Sequence, residues 1–575
     1  MTRLLLAALA ALAIGAPATA AASEPDAELF ATNNTALITD PDDPRLDDDL
    51  KGFARTVERI IDRGGGEPRG SQLLDGVFFS SDLGGTTFER SRGFDVDRVD
   101  DRELREIADT VRRRFLQQSV LTFDHLPRRD REVDAILLEV PGVTAQALRD
   151  GLLADPEAQE RLFGGSVTLG GRLRLVATLE DEQLARDFAE AIGGDLDRAT
   201  TSYGEREFVE GESPVRIEDG ALVIDGGEKV EIQPRGDILE IERGRETFEA
   251  KLSGFPDIRF NGTAGADTIR IGDLTDYPTN EIVLDLGAGD GRIDRVTVDT
   301  SYEDEQVFAL DLGGPVGVLG PAFVRIEGAE PADHLTVNGN DGDDIVSAST
   351  AAMKMTLDGG RGVDLILGSP GDDVLIGGPD FDDVQGRRGN DVAYLGGDFD
   401  RFSWAPGDGS DKVDGGPSRD SLFFLGSADA EAFSLSPRGH QARLTRDVGN
   451  IVMDLDDVEE IDTIAGAGAD TFRVGDMSRT PVTLVDVSLT PQIGAAGGDG
   501  QPDRVSVQGT DRRDRLTLTG SVVVGGTANL TGLPATVNIS HAEVAHDVLA
   551  IDTGAGDDTV DTSAFDPDTI GLEID

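Results

Sequence analysis

Four aspartates at nine-residue intervals are the residues of this chain whose type and spacing most clearly suggest chemistry. They are Asp364, Asp373, Asp382 and Asp391, and each is sixth in a frame that begins with glycine and has an apolar residue in eighth place. Carboxylates repeated at one period would repel one another if they came together unpaired. A hard divalent cation such as Ca²⁺ removes this repulsion, since it takes about 6–8 oxygen ligands from carboxylates and backbone carbonyls. The frames therefore predict a calcium-binding array between residues 359 and 394.

The rest of each frame consists of turn residues followed by a short strand. Glycine adopts positive φ without steric cost and lets neighbouring backbones approach closely. The last three residues form a strand whose middle side chain points inward. Two frames complete one coil with a turn on each side, and stacked coils align the aspartates along both edges. The glycines expected to shape the site and expose its carbonyls are Gly359, Gly360, Gly362, Gly368, Gly371, Gly377 and Gly378.

These frames resemble the hemolysin-type calcium-binding repeat, the RTX nonapeptide Gly-Gly-x-Gly-x-Asp-x-apolar-x. The resemblance implies a right-handed parallel β-roll in which each Ca²⁺ lies between two stacked turns on one edge. Carried onto this chain, it pairs Asp364 with Asp382 and Asp373 with Asp391.

The array departs from the repeat in three places. Asp380, which we include among the candidate ligands, replaces the fourth-position glycine of its frame, and Arg387 replaces a second-position glycine. Leu395 then breaks the frame, and the next unit has Arg401 in sixth place. We therefore expect weak or empty sites at this end of the array.

Single frames of the same type occur elsewhere, with the candidate ligands Asp267, Asp344, Asp470 and Asp558. None has a tandem partner in sequence, although each could stack on a neighbour in space. Each is compatible with a calcium ligand and equally with a simple β-turn, so the sequence leaves both interpretations open.

A longer repeat surrounds the array. Residues 265–273 match residues 468–476, and further segments match in the same order on both sides. Short β-branched strands separated by turn residues are typical of repeated coils. We therefore expect two β-solenoid modules, 206–350 and 426–575, on either side of a nonapeptide β-roll at 351–425. Trp404, the single tryptophan, is expected to close the array with a bulky side chain.

The first residues have the features of a secretory signal peptide. Arg3 precedes a short apolar run, which is followed by small residues around Ala20, so residues 1–22 are expected to be removed on export. That run is too short to span a bilayer as a helix, and no later segment predicts a transmembrane anchor. The chain has no cysteine, so an exported protein of this size needs a stabilising cross-link other than disulfides.

The charge is strongly acidic throughout. The chain carries 111 Asp and Glu against 52 Lys and Arg, a formal net charge of −59. This balance argues against nucleic acid and anionic membrane surfaces as partners, because both require positive charge facing phosphate. Without metal, the repeats should repel themselves and resist compaction. We therefore expect the repeats to fold only where calcium is available, because binding restricted to the folded state adds its free energy to folding.

Residues 23–49 are expected to form an acidic linker, and residues 50–205 a small α+β domain of unknown role. Apolar residues at helical spacing predict helices near Phe53 and Ile107, and residues 133–140 and 172–178 are predicted as strands. His125 beside Asp124 is interpreted as a surface or turn feature rather than a catalytic pair. The chain contains no His-Glu-x-x-His zinc motif and no Gly-x-Ser-x-Gly nucleophile motif.

The sequence thus predicts a multidomain protein: a small α+β domain followed by an all-β, right-handed parallel β-roll or solenoid. The leading hypothesis is a secreted, non-enzymatic calcium-binding protein with a structural or adhesive role, whose partner is a cell-surface or extracellular polysaccharide or protein. A secreted enzyme with its activity in residues 50–205 is one alternative. A carbohydrate-active β-solenoid is another, and an acidic groove away from the glycine turns would favour it.

Overall fold

The computed structural model describes residues 24–34, 37–162, 164–251, 257–275, 277, 279–287, 289, 291–350, 352–522 and 525–575. The expected signal peptide, residues 1–22, lies outside this part of the chain. The chain divides into unit 1, which ends at Glu212, and unit 2, which begins at Ser213.

Unit 1 is built around a closed antiparallel barrel of eight strands. The strands are β1 (Ala27–Ala31), β2 (Glu67–Ser80), β3 (Gly85–Asp97), β4 (Ser119–His125), β5 (Ala135–Pro141), β6 (Gly164–Thr168), β7 (Arg172–Thr178) and β8 (Thr200–Glu210). They pair in the order β1-β3-β2-β6-β7-β5-β8-β4, and β4 returns to β1. Closure leaves the sheet without an open edge.

Five α-helices accompany the barrel among the described residues: α1 (Lys51–Arg63), α2 (Asp101–Arg114), α3 (Ala145–Ala154), α4 (Pro156–Arg161) and α5 (Glu182–Ala191). Short 3₁₀ turns cover Pro44–Asp47, Leu179–Asp181, Leu196–Arg198 and, in unit 2, Val448–Asn450. Helix α2 begins with a capping box between Asp100 and Glu103, which satisfies two backbone N–H groups. Phe53 and Val57 of α1 and Ile107 of α2 join one hydrophobic core. No described helix is long and apolar enough to cross a membrane.

The segment expected to be a linker differs from that expectation. Within 23–49, Ala27, Leu29 and Ala31 are buried, and strand β1 pairs with β3 and β4. In this segment only a few apolar residues alternate with others, and such a short pattern does not identify a strand when its barrel partners are unknown. The expected boundary at 205–206 likewise falls inside β8, which pairs with β4 and β5.

The described part of unit 2 consists almost entirely of short strands. Those before the array are β9 (Val215–Glu218), β10 (Ala221–Asp225), β11 (Val230–Arg235), β12 (Ile238–Arg243), β13 (Glu246–Lys251), β14 (Asp257–Asn261), β15 (Thr268–Ile271), β16 (Glu281–Asp285), β17 (Arg295–Asp299), β18 (Gln306–Asp311), β19 (Val316–Leu319), β20 (Val324–Glu327), β21 (His334–Asn338), β22 (Ile345–Ala348) and β23 (Lys354–Asp358).

The array and the segment after it contain β24 (Leu365–Leu367), β25 (Val374–Gly378), β26 (Asp383–Gln385), β27 (Val392–Gly396), β28 (Arg401–Trp404), β29 (Lys412–Asp414), β30 (Ser421–Leu425), β31 (Ala432–Arg438), β32 (Gln441–Arg446), β33 (Ile451–Asp456), β34 (Glu460–Ile464), β35 (Thr471–Val474), β36 (Leu484–Ser488), β37 (Arg504–Gln508), β38 (Arg515–Ser521), β39 (Gly526–Thr531), β40 (Thr536–Ala542), β41 (Val548–Asp552), β42 (Thr559–Ala564) and β43 (Gly571–Ile574).

These strands form two long sheets, and the strands of the array alternate between them. The first sheet runs β9-β10-β14-β16-β20-β19-β18-β22-β24-β26-β28-β30-β34-β36-β40-β39-β38-β42. The second runs β13-β12-β11-β15-β17-β21-β23-β25-β27-β29-β33-β32-β31-β35-β37-β41-β43. Most neighbours are parallel, and antiparallel hairpins are inserted at a few places.

The register of the array matches a coil made from two frames. Leu365 of β24 pairs with Asp383 of β26, and Val374 of β25 pairs with Val392 of β27. The eighth-position side chains, which were expected to point inward, are fully buried: Ile366, Leu375, Val384 and Ala393. The body is therefore an all-β, solenoid-like structure whose coils in the array consist of two nonapeptides.

The duplication seen in sequence has a direct counterpart in strand order. Strands β10–β23 and β30–β43 follow the same sequence of pairings, including the triple hairpin β11-β12-β13, which corresponds to β31-β32-β33. The insertion β18-β19-β20 likewise corresponds to β38-β39-β40. In both sheets, strands on either side of the two suggested module boundaries pair directly with each other.

Trp404 contributes to the interior of unit 2. Its ring is 1 % exposed and stacks on Phe424 at a centroid distance of 4.1 Å. The indole N–H donates to the carbonyl of Gly409 at 2.8 Å, and the Arg446 guanidinium also lies over the indole ring. Strands β29 and β30 continue both sheets beyond it, so Trp404 packs within the stack and does not end it.

We predict that Trp404→Ala lowers the free energy of unfolding of the protein by about 3–5 kcal/mol, because it leaves a large cavity beside Phe424. Urea denaturation followed by far-ultraviolet circular dichroism measures this change. Phe399→Ala is the matched control, since Phe399 is 60 % exposed. Equal effects of the two substitutions would contradict the packing described for Trp404.

Candidate metal centre

Acidic residues that directly precede seven strands of the first sheet form one continuous column, which we call column A. Its members are Glu305, Asp344, Asp364, Asp382, Asp400, Asp420 and Glu459. Each backbone N–H donates to a side-chain oxygen of the next member, over 2.8–2.9 Å. One carboxylate oxygen of every recipient is therefore fixed by the coil before it, so the backbone ladder of the sheet extends into the turn.

Column B precedes the strands of the second sheet and consists of three shorter runs built by the same hydrogen bond. The runs are Asp267-Asp294-Asp333, Asp373-Asp391-Asp411 and Glu431-Asp470-Asp503-Asp547. The N–H to oxygen distances are 2.8–3.1 Å. A further pair, Asp514 and Asp558, lies before strands of the first sheet.

The structure brings the aspartates of the array together in the pairs that the resemblance implies. Asp364 contacts Asp382 in column A, and Asp373 contacts Asp391 in column B. Asp380 is different: it is exposed, and it keeps the positive φ of the glycine that it replaces, at 79°. It therefore lies beside column A without belonging to it.

The aspartates of the isolated frames do find partners in space. Asp344 belongs to column A, Asp267 and Asp470 belong to column B, and Asp558 accepts from the N–H of Asp514. Among the glycines, Gly359, Gly368 and Gly377 begin their turns, and Gly360, Gly362 and Gly378 adopt positive φ. Gly371 donates its N–H to the hydroxyl of Ser369.

Both columns extend further than the sequence suggested. Because the frame breaks at Leu395, the array was expected to weaken there. The structure instead buries Leu395 in β27, and Asp400, nine residues after Asp391, takes the column position next to Asp382 and Asp420. The expected sixth residue, Arg401, lies in β28.

Several column members were missed altogether. They are Asp294, Asp333, Asp400, Asp411, Asp420, Asp503, Asp514, Asp547, Glu305, Glu431 and Glu459. The signal that identifies them is an acidic residue directly before a short β-branched or apolar strand, whatever the turn before it. A strict nonapeptide pattern excludes these positions because other residues replace one or more glycines of the turn or the sixth-place aspartate.

The second carboxylate oxygen of many column members is buried without a hydrogen-bond partner among the described residues. This holds for Oδ2 of Asp344, Asp364, Asp382, Asp391, Asp400, Asp411, Asp420 and Asp470. All eight side chains belong to residues that are at most 3 % exposed. A buried, unpaired carboxylate oxygen is costly. These atoms thus form two aligned sets of acceptors that lack a partner of opposite charge.

In the turn before Asp382, two glycines make room for its Oδ2 and for the neighbouring backbone. A Cβ added at Gly377 would lie 2.6 Å from Asp382 Oδ2 and would overlap the carbonyl oxygen of Leu395 in the next coil. A Cβ at Gly378 would overlap the carbonyl of Gly360 in the previous coil. Carboxylate and carbonyl oxygens from successive coils therefore converge at the turn, and this donor set suits a hard divalent cation.

The electrostatics of the columns follow from this crowding. Burial raises the pKa of Asp382 to about 8, and the Asp364 and Asp400 carboxylates beside it contribute to the rise. Burial also raises the pKa of Asp391 to about 9, assisted by Asp411 and Asp373. In Asp364 and Asp420, burial raises the pKa to about 6 and about 7, respectively. Without a cation, these groups are held partly in the neutral form at physiological pH.

Unit 1 contains a separate buried group of charged side chains. Arg174 forms an ion pair with Glu28, and His125 Nε2 lies 3.1 Å from Glu28 Oε1. The interpretation of His125 as a surface or turn feature is wrong: it lies in β4, its side chain is 8 % exposed, and β4 pairs with the strand that carries Glu28. A separate, open surface depression on α1 is lined by Arg55, Glu58, Arg59 and Asp62.

Comparisons with models of known protein families and with curated proteins find no match to this chain.

We predict that the metal-free protein loses stability as the pH rises. The column aspartates have folded pKa values of about 6 to about 9, above the ordinary value of 3.8. Folding therefore favours the neutral form of these carboxyl groups. Their contribution to the free energy of unfolding is complete below about pH 4 and is lost as the pH rises through 6 to 9. Thermal unfolding in EDTA should show a falling Tm between pH 5 and pH 9. A Tm that rises over this range would contradict the burial described for the columns.

Proposed function

We propose that this protein is a secreted calcium-binding protein whose columns A and B hold Ca²⁺ between successive coils. The observation that carries the proposal is the set of eight buried Oδ2 atoms that have no partner among the described residues. A divalent cation placed between carboxylate and carbonyl oxygens would satisfy them and restore the ionised form. The nonapeptide resemblance, with its right-handed β-roll, supports calcium over other hard cations.

Charge supports the same function. Residues 201–575 carry 73 acidic and 28 basic residues, and the densest acidic positions are stacked one above another. Metal binding that occurs only in the folded state adds its free energy to folding. In a chain without cysteine, bound Ca²⁺ takes the part that disulfides have in other exported proteins. The repeats would then be much less stable in the calcium-poor cytoplasm than after export, where they would have a structural or adhesive role.

Calcium titration of the full chain tests the proposal. The variant Asp364→Ala, Asp373→Ala, Asp382→Ala, Asp391→Ala should bind fewer Ca²⁺ ions and gain less thermal stability from calcium than the wild type. A control with four exposed acidic residues outside the columns, Asp82→Ala, Glu157→Ala, Asp187→Ala and Glu218→Ala, removes the same formal charge. Isothermal titration calorimetry counts the ions. Equal heats and equal stabilisation for wild type and the column variant would overturn the proposal.

A second candidate function, recognition of neutral polysaccharide, is favoured by one further feature of unit 2. Two adjoining concave regions of 420 and 380 Å³ lie on the first sheet and share Asn538 and Ser540. A row of paired residues crosses them: Thr519, Asn529, Asn538, Asp486, Asp462 and Phe423. Asn538 Nδ2 donates to Asp486 Oδ1 at 2.5 Å.

The duplicated copy has the same scaffold without this row. Where the second copy has Asp462, Asp486 and Asn538, the first has Arg259, Val283 and Arg325 in the corresponding paired positions. Carboxylates and amides together accept from and donate to vicinal hydroxyls, and an aromatic face can cover the apolar side of a sugar ring. The acidic pair would repel uronic acids or phosphates, so a neutral glycan fits this groove.

Affinity electrophoresis in gels that contain dextran, laminarin or alginate tests the second candidate. We expect one of the two neutral polysaccharides, dextran or laminarin, to retard the wild-type protein. Asp486→Ala should lower the apparent affinity by at least about tenfold. Arg325→Ala, at the matching position of the other copy, should leave the retardation intact. No retardation by either neutral polymer, or equal loss in both variants, would exclude the groove as a glycan site.

A further inference from the structure

Thirteen acidic residues of the columns and of the Asp514–Asp558 pair follow turns of two kinds, which differ in the residue four positions before the acidic residue. In the first kind this residue is serine or threonine. Its backbone N–H donates to one carboxylate oxygen and its hydroxyl contacts the other, so the carboxylate is bound by its own turn. Five turns have this arrangement: Ser301–Glu305, Thr263–Asp267, Ser369–Asp373, Ser427–Glu431 and Thr510–Asp514.

These five closed turns share a third hydrogen bond, which fixes the hydroxyl. The N–H two residues after the serine or threonine donates to its side-chain oxygen, as Gly371 does to Ser369 at 3.0 Å. The equivalent bonds in the other turns span 3.0–3.3 Å. The hydroxyl oxygen therefore accepts from the turn and donates its own proton to the carboxylate, so both oxygens of that carboxylate have a donor.

In the second kind of turn the same position has positive φ. The residues are Asn340, Gly360, Gly378, Arg387, Gly396, Gly407, Gly416 and Gly466, with φ between 65° and 129°. They precede the eight aspartates whose Oδ2 has no partner, without exception. The backbone N–H is used elsewhere in such turns: that of Gly360 donates to the carbonyl of Gly377, and that of Gly396 to the carbonyl of Gly415.

We infer that calcium is bound only by the eight open turns, and that the serine and threonine turns are metal-independent substitutes built into the same columns. This inference rests on the proposed function and identifies its ligands. It removes Asp373 and Asp267 from the candidate ligands although both match the nonapeptide pattern. It adds Asp400, Asp411 and Asp420, which the pattern missed.

The physical reason is a competition for one carboxylate oxygen. A closed turn supplies two neutral donors to the carboxylate at distances of about 2.5–3.0 Å, so a cation would have to displace them. An open turn supplies none to Oδ2, and the oxygen is buried against backbone carbonyls that cannot donate. Only a cation, or a proton on the carboxylate itself, can compensate the open form.

Two matched pairs of single substitutions in the full chain test this inference. Asp382→Asn and Asp373→Asn compare an open and a closed turn inside the array. Asp344→Asn and Asp267→Asn compare an open and a closed turn in isolated frames. Asparagine keeps the shape and one acceptor oxygen, so in Asp382→Asn and Asp344→Asn the backbone N–H that donates along the column keeps its partner.

Bound calcium is counted by equilibrium dialysis with CaCl₂, and unfolding is followed by circular dichroism in EDTA. We expect Asp382→Asn and Asp344→Asn to lose at least one ion or about tenfold in affinity at one site. Asp373→Asn and Asp267→Asn should bind as many ions as the wild type. In EDTA the closed-turn variants should be the less stable ones. Only they lose donated hydrogen bonds, so they alone should have a lower Tm than the wild type.

The outcomes separate the two proposals. A wild-type chain that binds no calcium overturns the proposed function itself. A wild type that binds calcium, with equal ion losses in the open-turn and closed-turn variants, overturns only the sorting by turn type. If Asp373→Asn does not fold, the pair at residues 344 and 267 decides between the two kinds of turn.

Discussion

One hydrogen bond, from the backbone N–H of an acidic residue to the carboxylate of the acidic residue one coil further on, organises unit 2. It aligns the turns as strictly as the sheets align the strands, and it recurs from Glu305 to Glu459 in column A. The same bond brings negative charges into register, which is unfavourable unless each carboxylate finds a second partner. The whole body therefore depends on how the remaining oxygen is satisfied.

Some of these carboxylates are bound by a serine or threonine of their own turn, and others keep one oxygen without a partner among the described residues; the two kinds are distributed unevenly. Closed serine and threonine turns occur mainly in the duplicated copies, while open turns dominate the central array, where the coils are most regular. In column A, the five open members Asp344, Asp364, Asp382, Asp400 and Asp420 are consecutive. Metal dependence would thus be concentrated in the middle of the body, with regions on both sides that need less calcium to stay folded.

Buried charges in unit 1 are compensated differently from those in unit 2. The barrel of unit 1 closes on itself, so its strands need no stacked partner, and its buried charged residues pair with arginine and histidine. Glu28, for example, is neutralised by Arg174 and contacts His125 across two paired strands. Column aspartates such as Asp382 have like charges beside them. The difference explains why the calcium proposal concerns unit 2, and why unit 1 can keep its core without metal.

The sequence by itself determined the coil. Glycine at the turn, aspartate in sixth place and an apolar residue in eighth are local requirements of φ, charge and burial, so the period, the short strands and the buried Ile366 and Leu375 could all be anticipated. Only the tertiary structure decided which acidic residues share a column, that Glu305 and Glu459 are the first and last members of column A, and that residues 27–31 close a barrel. Each of these depends on a partner at least 18 residues away in the chain, and spacing within one frame carries no information about such a partner.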